Sequence, residues 1–395
     1  MTAALPPDWA TSELYLSGPD VGTPTKVDPS SPENGFIRGV IAAPQHVNFL
    51  FNKHVSASRR AFEVAALRLR TLRLDGDTND DAQDCLAAVG QGPLTVLLTA
   101  NTTGVLEIYD TDPYFVLGAF DSIDVGAAAD AGGLRVATDG SRILAIGITG
   151  TDTATDFSDD GGGTWTAGGL FDNAFGSISW VVWDDVNSVF VGGSSATIFR
   201  KSSNGVAWSD LVNTNEPRSE ARLACLTAGP LLGVRNTNPM TFALSTDATN
   251  WTVSGGSVAN ASQLASITDN CVCGALDTFY HVGRITSGAL QVSSSADGAT
   301  WSTLATITPA SAGMSDFEAE APRILECPNT GLLIIACRAN TDTRTLLFAS
   351  TDGVDWVGPH IIPPAFNPDN IAVANGRVFA KSGTQLLASD GIGVE

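Results

Sequence analysis

Positive charge is scarce in this chain. Its 395 residues hold 21 lysines and arginines against 42 aspartates and glutamates, a formal charge of −21. The imbalance is uneven: residues 1–75 contain 8 of the basic and 7 of the acidic side chains, which leaves 13 and 35 for the remainder. No basic stripe is left to neutralise phosphates, so neither nucleic acid nor an anionic membrane is an expected partner. Histidine is nearly absent at 4 residues, and among the 6 cysteines only Cys271 and Cys273 form a close pair. Without a second pair or a histidine cluster no zinc site is expected, and no other metal or cofactor is required. Cys85, Cys225, Cys273 and Cys327 fall at similar points of short apolar runs, which suits small side chains packed as reduced thiols. Long apolar runs are missing too. Residues 1–30 lack the apolar core of a secretion signal, and the longest apolar stretches are of strand length. Folding in a cytoplasm, without membrane insertion, is the expectation.

Glycine is plentiful, at 40 residues, and so is one kind of turn. The pattern S-x-[DN]-[GA]-x-x-W occurs at Ser202–Trp208, Ser245–Trp251, Ser295–Trp301 and Ser350–Trp356, with a form one residue longer at Ser158–Trp165. A fragment, SDG, stands at Ser389–Gly391. Local physics accounts for the residue types. Asp160, Asn204, Asp247, Asp297 and Asp352 can accept hydrogen bonds from the backbone N–H groups of a tight turn, and the glycine supplies positive φ without steric cost. The serine hydroxyl closes the same turn, while Trp165, Trp208, Trp251, Trp301 and Trp356 open the returning strands.

Successive tryptophans of the set lie 43, 43, 50 and 55 residues apart, a period typical of propellers and similar arrays. Each unit reads as four short strands; residues 323–358 run RILEC, GLLIIACRA, RTLLFASTDG, VDWVG with linkers between. Residues 85–120 keep the rhythm with a degenerate turn, and residues 370–395 stop before a fourth strand. The reading is a mainly β chain with a seven-bladed β-propeller over 85–395, its last blade completed by a strand from elsewhere in the chain. The repeats resemble the Asp-box hairpins of sialidases, sortilin-type receptors, photosystem assembly factors and many secreted or viral propellers. That resemblance implies a fold more than a function, and it places the box carboxylates at outer hairpins, away from a ligand face.

The N-terminal part differs. Residues 1–44 are proline- and glycine-rich and read as an extended arm; residues 45–74 read as one α-helix; residues 75–84 (DGDTNDDAQD) form an acidic linker. Val55, Ser58, Phe62, Ala65, Leu69 and Leu72 recur at spacings of three and four, as in a short coiled-coil seam or in an amphipathic helix laid on the propeller's side. The stretch NGFIRGVIAAPQHVNFLFNKHV resembles the N-terminal attachment regions of tailed-phage fibre and baseplate proteins, through Gly35, Phe36, Gly39, Ala43, Pro44, Asn48, Phe49, Phe51 and Asn52. The resemblance implies a virion tail protein, assembled in the host cytoplasm. Its arm docks on other tail or baseplate proteins, and its helix, through Val55, Phe62, Leu69 and Leu72, gathers copies into an oligomer, a trimer being the family expectation.

A propeller head so displayed suits non-enzymatic binding of a host-surface glycan. The candidate face lies opposite the Asp-box hairpins, where Arg222, Arg284 and Arg323 and the loop carrying Asp316, Phe317, Glu318 and Glu320 belong. The alternatives are a sialidase-like depolymerase, or a head-decoration or scaffold propeller. The enzyme would use the three arginines to hold a carboxylate, but the Arg-Ile-Pro motif of that family is missing and Tyr280 is the one tyrosine of the central repeats.

Overall fold

A computed structural model describes the strands between residues 69 and 134 as backbone, and residues from Arg135 to Ser389 with their side chains, short stretches within both spans excepted. The expected arm 1–44, the linker 75–84 and the expected helix as far as residue 68 lie outside the described residues, as do Phe36, Pro44, Asn48, Phe51, Val55 and Phe62. The first described strand, β1 (Leu69–Arg73), corrects the end of the expected helix. Leu69 and Leu72 are strand residues there, paired with Ser389 and Leu386. A three-residue spacing of leucines fits a helix seam and a short strand alike, and an open strand edge at the chain's other end decides for the strand.

Seven antiparallel sheets follow in chain order among the described residues. Blade 1 is β2 (Cys85–Val89), β3 (Val96–Ala100), β4 (Val105–Asp110) and β5 (Asp121–Asp124). Blade 2 is β6 (Asp130–Thr138), β7 (Ile143–Thr149), β8 (Asp152–Ser158) and β9 (Thr166–Asp172). Blade 3 is β10 (Ile178–Asp184), β11 (Val189–Ser194), β12 (Phe199–Ser202) and β13 (Ser209–Leu211). Blade 4 has three strands, β14 (Leu231–Arg235), β15 (Thr241–Ser245) and β16 (Thr252–Ser257). Its inner position is taken by the segment around Ala224, which exchanges both backbone hydrogen bonds with Leu232, at 2.8 and 2.9 Å. Blade 5 is β17 (Val272–Ala275), β18 (Thr278–Arg284), β19 (Leu290–Ser295) and β20 (Ser302–Ile307). Blade 6 is β21 (Arg323–Cys327), β22 (Leu332–Arg338), β23 (Thr345–Ser350) and β24 (Val357–Ile362). Blade 7 is β25 (Ile371–Ala374), β26 (Arg377–Ser382) and β27 (Gln385–Ser389), with β1 as its outer strand.

The blades stack face to face, and the sequence shows why. Strand β22 is apolar up to its closing Arg338 because both its faces are covered: Leu333, Ile335 and Cys337 pack toward blade 5, and Leu332, Ile334 and Ala336 toward blade 7. In β23 the same alternation sends Leu346 and Phe348 one way and Leu347 and Ala349 the other. Further cores lie between blades 2 and 3, 3 and 4, and 4 and 5. The innermost strands β25, β2, β6 and β10 neighbour one another in turn, as do β17, β21 and β25. This is the arrangement of a β-propeller.

Strand polarity sorts the connections. In blades 2 to 6 the turn between third and fourth strands, which is the Asp box, lies at one end. The second-to-third turns and the loops to the next blade lie at the other. Strand β1 pairs antiparallel to β27 with Leu69 opposite Ser389, so the chain enters the ring at the Asp-box end.

Candidate functional site

The Asp-box residues make the turns that their types suggested. Asp352 Oδ1 accepts from Val354 N at 2.8 Å, Asp355 N at 2.9 Å and the Ser350 hydroxyl at 3.0 Å. Asp297 takes the N–H groups of Ala299 and Thr300, each at 2.8 Å, and Asp247 those of Thr249 at 2.8 Å and Asn250 at 2.6 Å. Asn204 and Asp160 repeat the scheme through Val206 and Thr164. The backbone and side-chain N–H groups of Asn250, then the Thr249 N–H, hold the Asp247 carboxyl far below the usual carboxylate range. The turns also lock neighbouring blades. A Cβ on Gly353, at φ +76°, would lie 2.5 Å from Tyr280 of blade 5, and one on Gly298, at φ +69°, 2.6 Å from Leu244 of blade 4. The tryptophans cross the same boundary: Trp208 packs edge-on to Phe171 at 4.8 Å, and Trp301 stacks on Phe242 at 4.4 Å. These carboxylates are spoken for by structure.

The opposite end is built differently. Arg235, Arg284 and Arg338 close second strands there, Arg323 opens β21, Arg344 stands just before β23, and Arg222 opens the inner segment of blade 4. Six of the 13 basic residues beyond position 75 thus gather on one end of three blades, whereas the Asp-box end is rich in aspartate. The expected site residues take unequal parts in this face. Arg284 Nη2 holds both oxygens of Asp316, at 2.9 and 2.8 Å, and Gly288 at φ +81° makes room, since a Cβ would lie 2.4 Å from Asp316 Oδ1. Phe317, expected to offer its ring to a ligand, is fully buried: it sits edge-on to Phe348 at 6.1 Å and bridges to Ala339. A bare phenyl ring gains more from that core than from water, so the loop turns it inward. Arg323 is buried as well. Glu318 and Glu320 lie outside the described residues.

Arg222 alone of the three candidate arginines has an exposed side chain. Its charge is felt by Cys225 beside it, by Cys273 on β17, by Glu326 on β21 and by Arg135 on β6. Residues of blades 2, 4, 5 and 6 meet in this way only across the axis. Burial there lowers the Arg222 pKa, raises the Cys225 thiol to about 12 and pushes the Glu326 carboxyl up to about 7, against the pull of Arg222.

No family model matches this chain, and no curated protein sequence matches it. Among solved structures it is similar to YCF48 bound to D1 peptide, with TM-score 0.54 and 12% identity over 81% of this chain and 94% of that one. A structure of YCF48 from Cyanidioschyzon merolae gives TM-score 0.49 and 14% identity over 82% and 98%. The likeness is one of fold.

Within this YCF48-like propeller, two positions that matter were not among the candidates drawn from the sequence. Glu326 is the lone acid of an otherwise apolar stretch, RILEC, and that break in pattern was the available signal. His281 is fully buried between Phe242 and Trp301, with both ring nitrogens lacking hydrogen-bond partners among the described residues, and nothing in its surroundings in sequence marks it.

Proposed function

We propose that the chain is a non-enzymatic structural and adhesive protein of a tailed-phage particle, a fibre or baseplate component whose seven-bladed propeller binds a host-surface glycan. Residues 1–63 serve as its attachment segment for other tail proteins and for further copies of the chain, a reading that rests on the motif from Gly35 to Asn52. The observation that supports a display role is polarity: the chain enters the ring at the Asp-box end, and the arginines of blades 4 to 6 lie at the other. A head tethered at one end presents the opposite end outward, where long loops and positive charge favour recognition.

Two measurements test this. Mass spectrometry of purified particles is expected to find the full chain and to lose a version lacking residues 1–63. Labelled full-length protein is expected to adhere to host cells, with Arg222→Glu plus Arg235→Glu reducing adhesion at least tenfold and Arg142→Glu, at the Asp-box end, leaving it unchanged. Particles free of the protein, or adhesion insensitive to all three changes, would overturn the reading.

A further inference from the structure

His281 lies on β18, the second strand of blade 5, fully enclosed, with neither ring nitrogen hydrogen-bonded to a described residue. Strand pairing and alternation place it on the face turned to blade 4, with Val272 and Phe279 of the core between those blades. The Phe242 ring of blade 4 meets it edge-on at 5.9 Å, and the Trp301 ring of its own blade at 6.2 Å. Ser293 stands directly opposite on β19, an arrangement that sets two Cβ atoms about 5 Å apart on one face. The Ser293 hydroxyl is buried and also lacks a partner among the described residues.

A neutral imidazole tolerates this place, because one hydroxyl can serve one of its nitrogens. An imidazolium does not, because it brings two N–H donors and a charge. Among the described residues no carboxylate faces it. Of the ionisable groups of blade 4, Arg235 is turned by alternation toward blade 3, Cys225 packs that way too, and Arg222 is exposed. From β17, Cys273 packs toward blade 6, and Cys271 shares the seam as a thiol, uncharged in acid. On β18 itself, Tyr280 packs toward blade 6 and Arg284 is bound to Asp316. Strands β15, β16, β19 and β20 carry no ionisable side chain. Asp277 is exposed in the β17–β18 turn, and Asp247 and Asp297 are held by the N–H groups of their own turns. Burial alone accordingly lowers the His281 pKa from 6.5 to about 4.

The direction of least resistance runs between the blades. Each blade is a ladder of backbone hydrogen bonds, whereas blades 4 and 5 meet through side chains. Trp301 stacks on Phe242 at 4.4 Å, apolar residues fill the core, and Ser254 Oγ donates to the Gly298 carbonyl at 2.7 Å. Water can reach His281 by parting these contacts without breaking a ladder. We propose that His281 is an acid-sensitive latch, whose protonation parts the seam between blades 4 and 5 while the strand ladders of both blades stay formed. The latch is independent of the adhesive role. The parted form binds the proton at an ordinary imidazole pKa and the closed form only near 4, so closure is lost as pH falls from 6.5 toward 4.

Cys271, buried in that seam, reports on the latch, and Cys337, buried between blades 5 and 6, is the internal control. The full chain is labelled with dithiodipyridine, which reacts with thiols in acid, and each labelled cysteine is identified by peptide mass spectrometry. Rates are divided by that of free cysteine at the same pH. Between pH 7 and 4.5 the Cys271 rate is expected to rise at least tenfold, with the Cys337 rate and the far-ultraviolet circular dichroism unchanged. His281→Leu is expected to abolish the rise, and His360→Gln, on the outer strand of blade 6, to keep it. A flat Cys271 rate, a rise shared by Cys337, or a rise that survives His281→Leu overturns the latch. If His281→Leu fails to fold, the contrast between the two cysteines in the unaltered chain decides by itself.

Discussion

The carboxylate of Asp352 accepts three hydrogen bonds inside its own turn, and the next residue, Gly353, seats that turn against Tyr280 of the preceding blade. These are separable contributions. Asp352→Ala removes only the local acceptor and is expected to lower unfolding free energy by about 1–2 kcal/mol in urea titrations. Gly353→Ala combines a strained φ of +76° with a Cβ 2.5 Å from a ring carbon, and is expected to cost about 2–4 kcal/mol. If the two changes prove equal, the turn glycine has no inter-blade role.

The buried His281 and the half-buried Glu326 give opposite pH dependences. Burial holds His281 neutral, its pKa lowered to about 4 from 6.5, so the unfolded chain binds more protons and stability is lost as pH falls through that window. Glu326 is raised to about 7 from 4.5 by burial, so the folded chain binds more protons and stability is lost as pH rises through that window. Relative to the parent, His281→Leu is expected to gain about 3 kcal/mol between pH 6.5 and 4, and Glu326→Gln about 2 kcal/mol between pH 4.5 and 7. Denaturant titrations of the three proteins at matched pH check both signs, and slopes of the same sign would contradict the two burials.

At the scale of elements, β1 is the decisive one. It completes blade 7 by pairing with β27 along five residues, from Leu69 with Ser389 to Arg73 with Gln385. Without it β27 presents an open edge, and open edges seek other chains. A chain beginning at Val64 is therefore expected to keep a cooperative unfolding transition, since Val64–Glu395 forms one compact unit. A chain beginning at residue 76 is expected to lose protection from hydrogen exchange in β27 and to self-associate in light scattering. Equal behaviour of the two fragments would show that β1 is dispensable.

On the whole-molecule scale, the propeller is chemically two-ended. Aspartates cluster where the Asp-box turns emerge, each bound to its own backbone, while the arginines of blades 4 to 6 stand at the loop-bearing end. The adhesion proposed for the arginine end is expected to weaken with salt, because charges near the surface are screened within about 8 Å at physiological ionic strength. Adhesion that rises with salt would point to an apolar contact instead.

Legibility in the sequence followed the range of the interactions. The Asp boxes were readable because serine, aspartate, glycine and tryptophan satisfy one another within seven or eight positions, so the chemistry and the spacing lie in one stretch of chain. The four-strand rhythm was readable because alternation in strands such as β22 feeds two separate cores. The stretch LRTLR was not, since its leucines suit a helix or a strand equally and only the free edge of β27, more than three hundred residues away, selects between them. Phe317 and Arg323 looked like surface candidates because they adjoin a long loop, but Phe317 packs on Phe348 of blade 6 and Arg323 is buried at the start of that blade's first strand. Arg222 and Glu326 belong to blades 4 and 6, and no local pattern relates them. The ring's closure alone brings them to one axis, because the curvature of a propeller is a property of all its blades together.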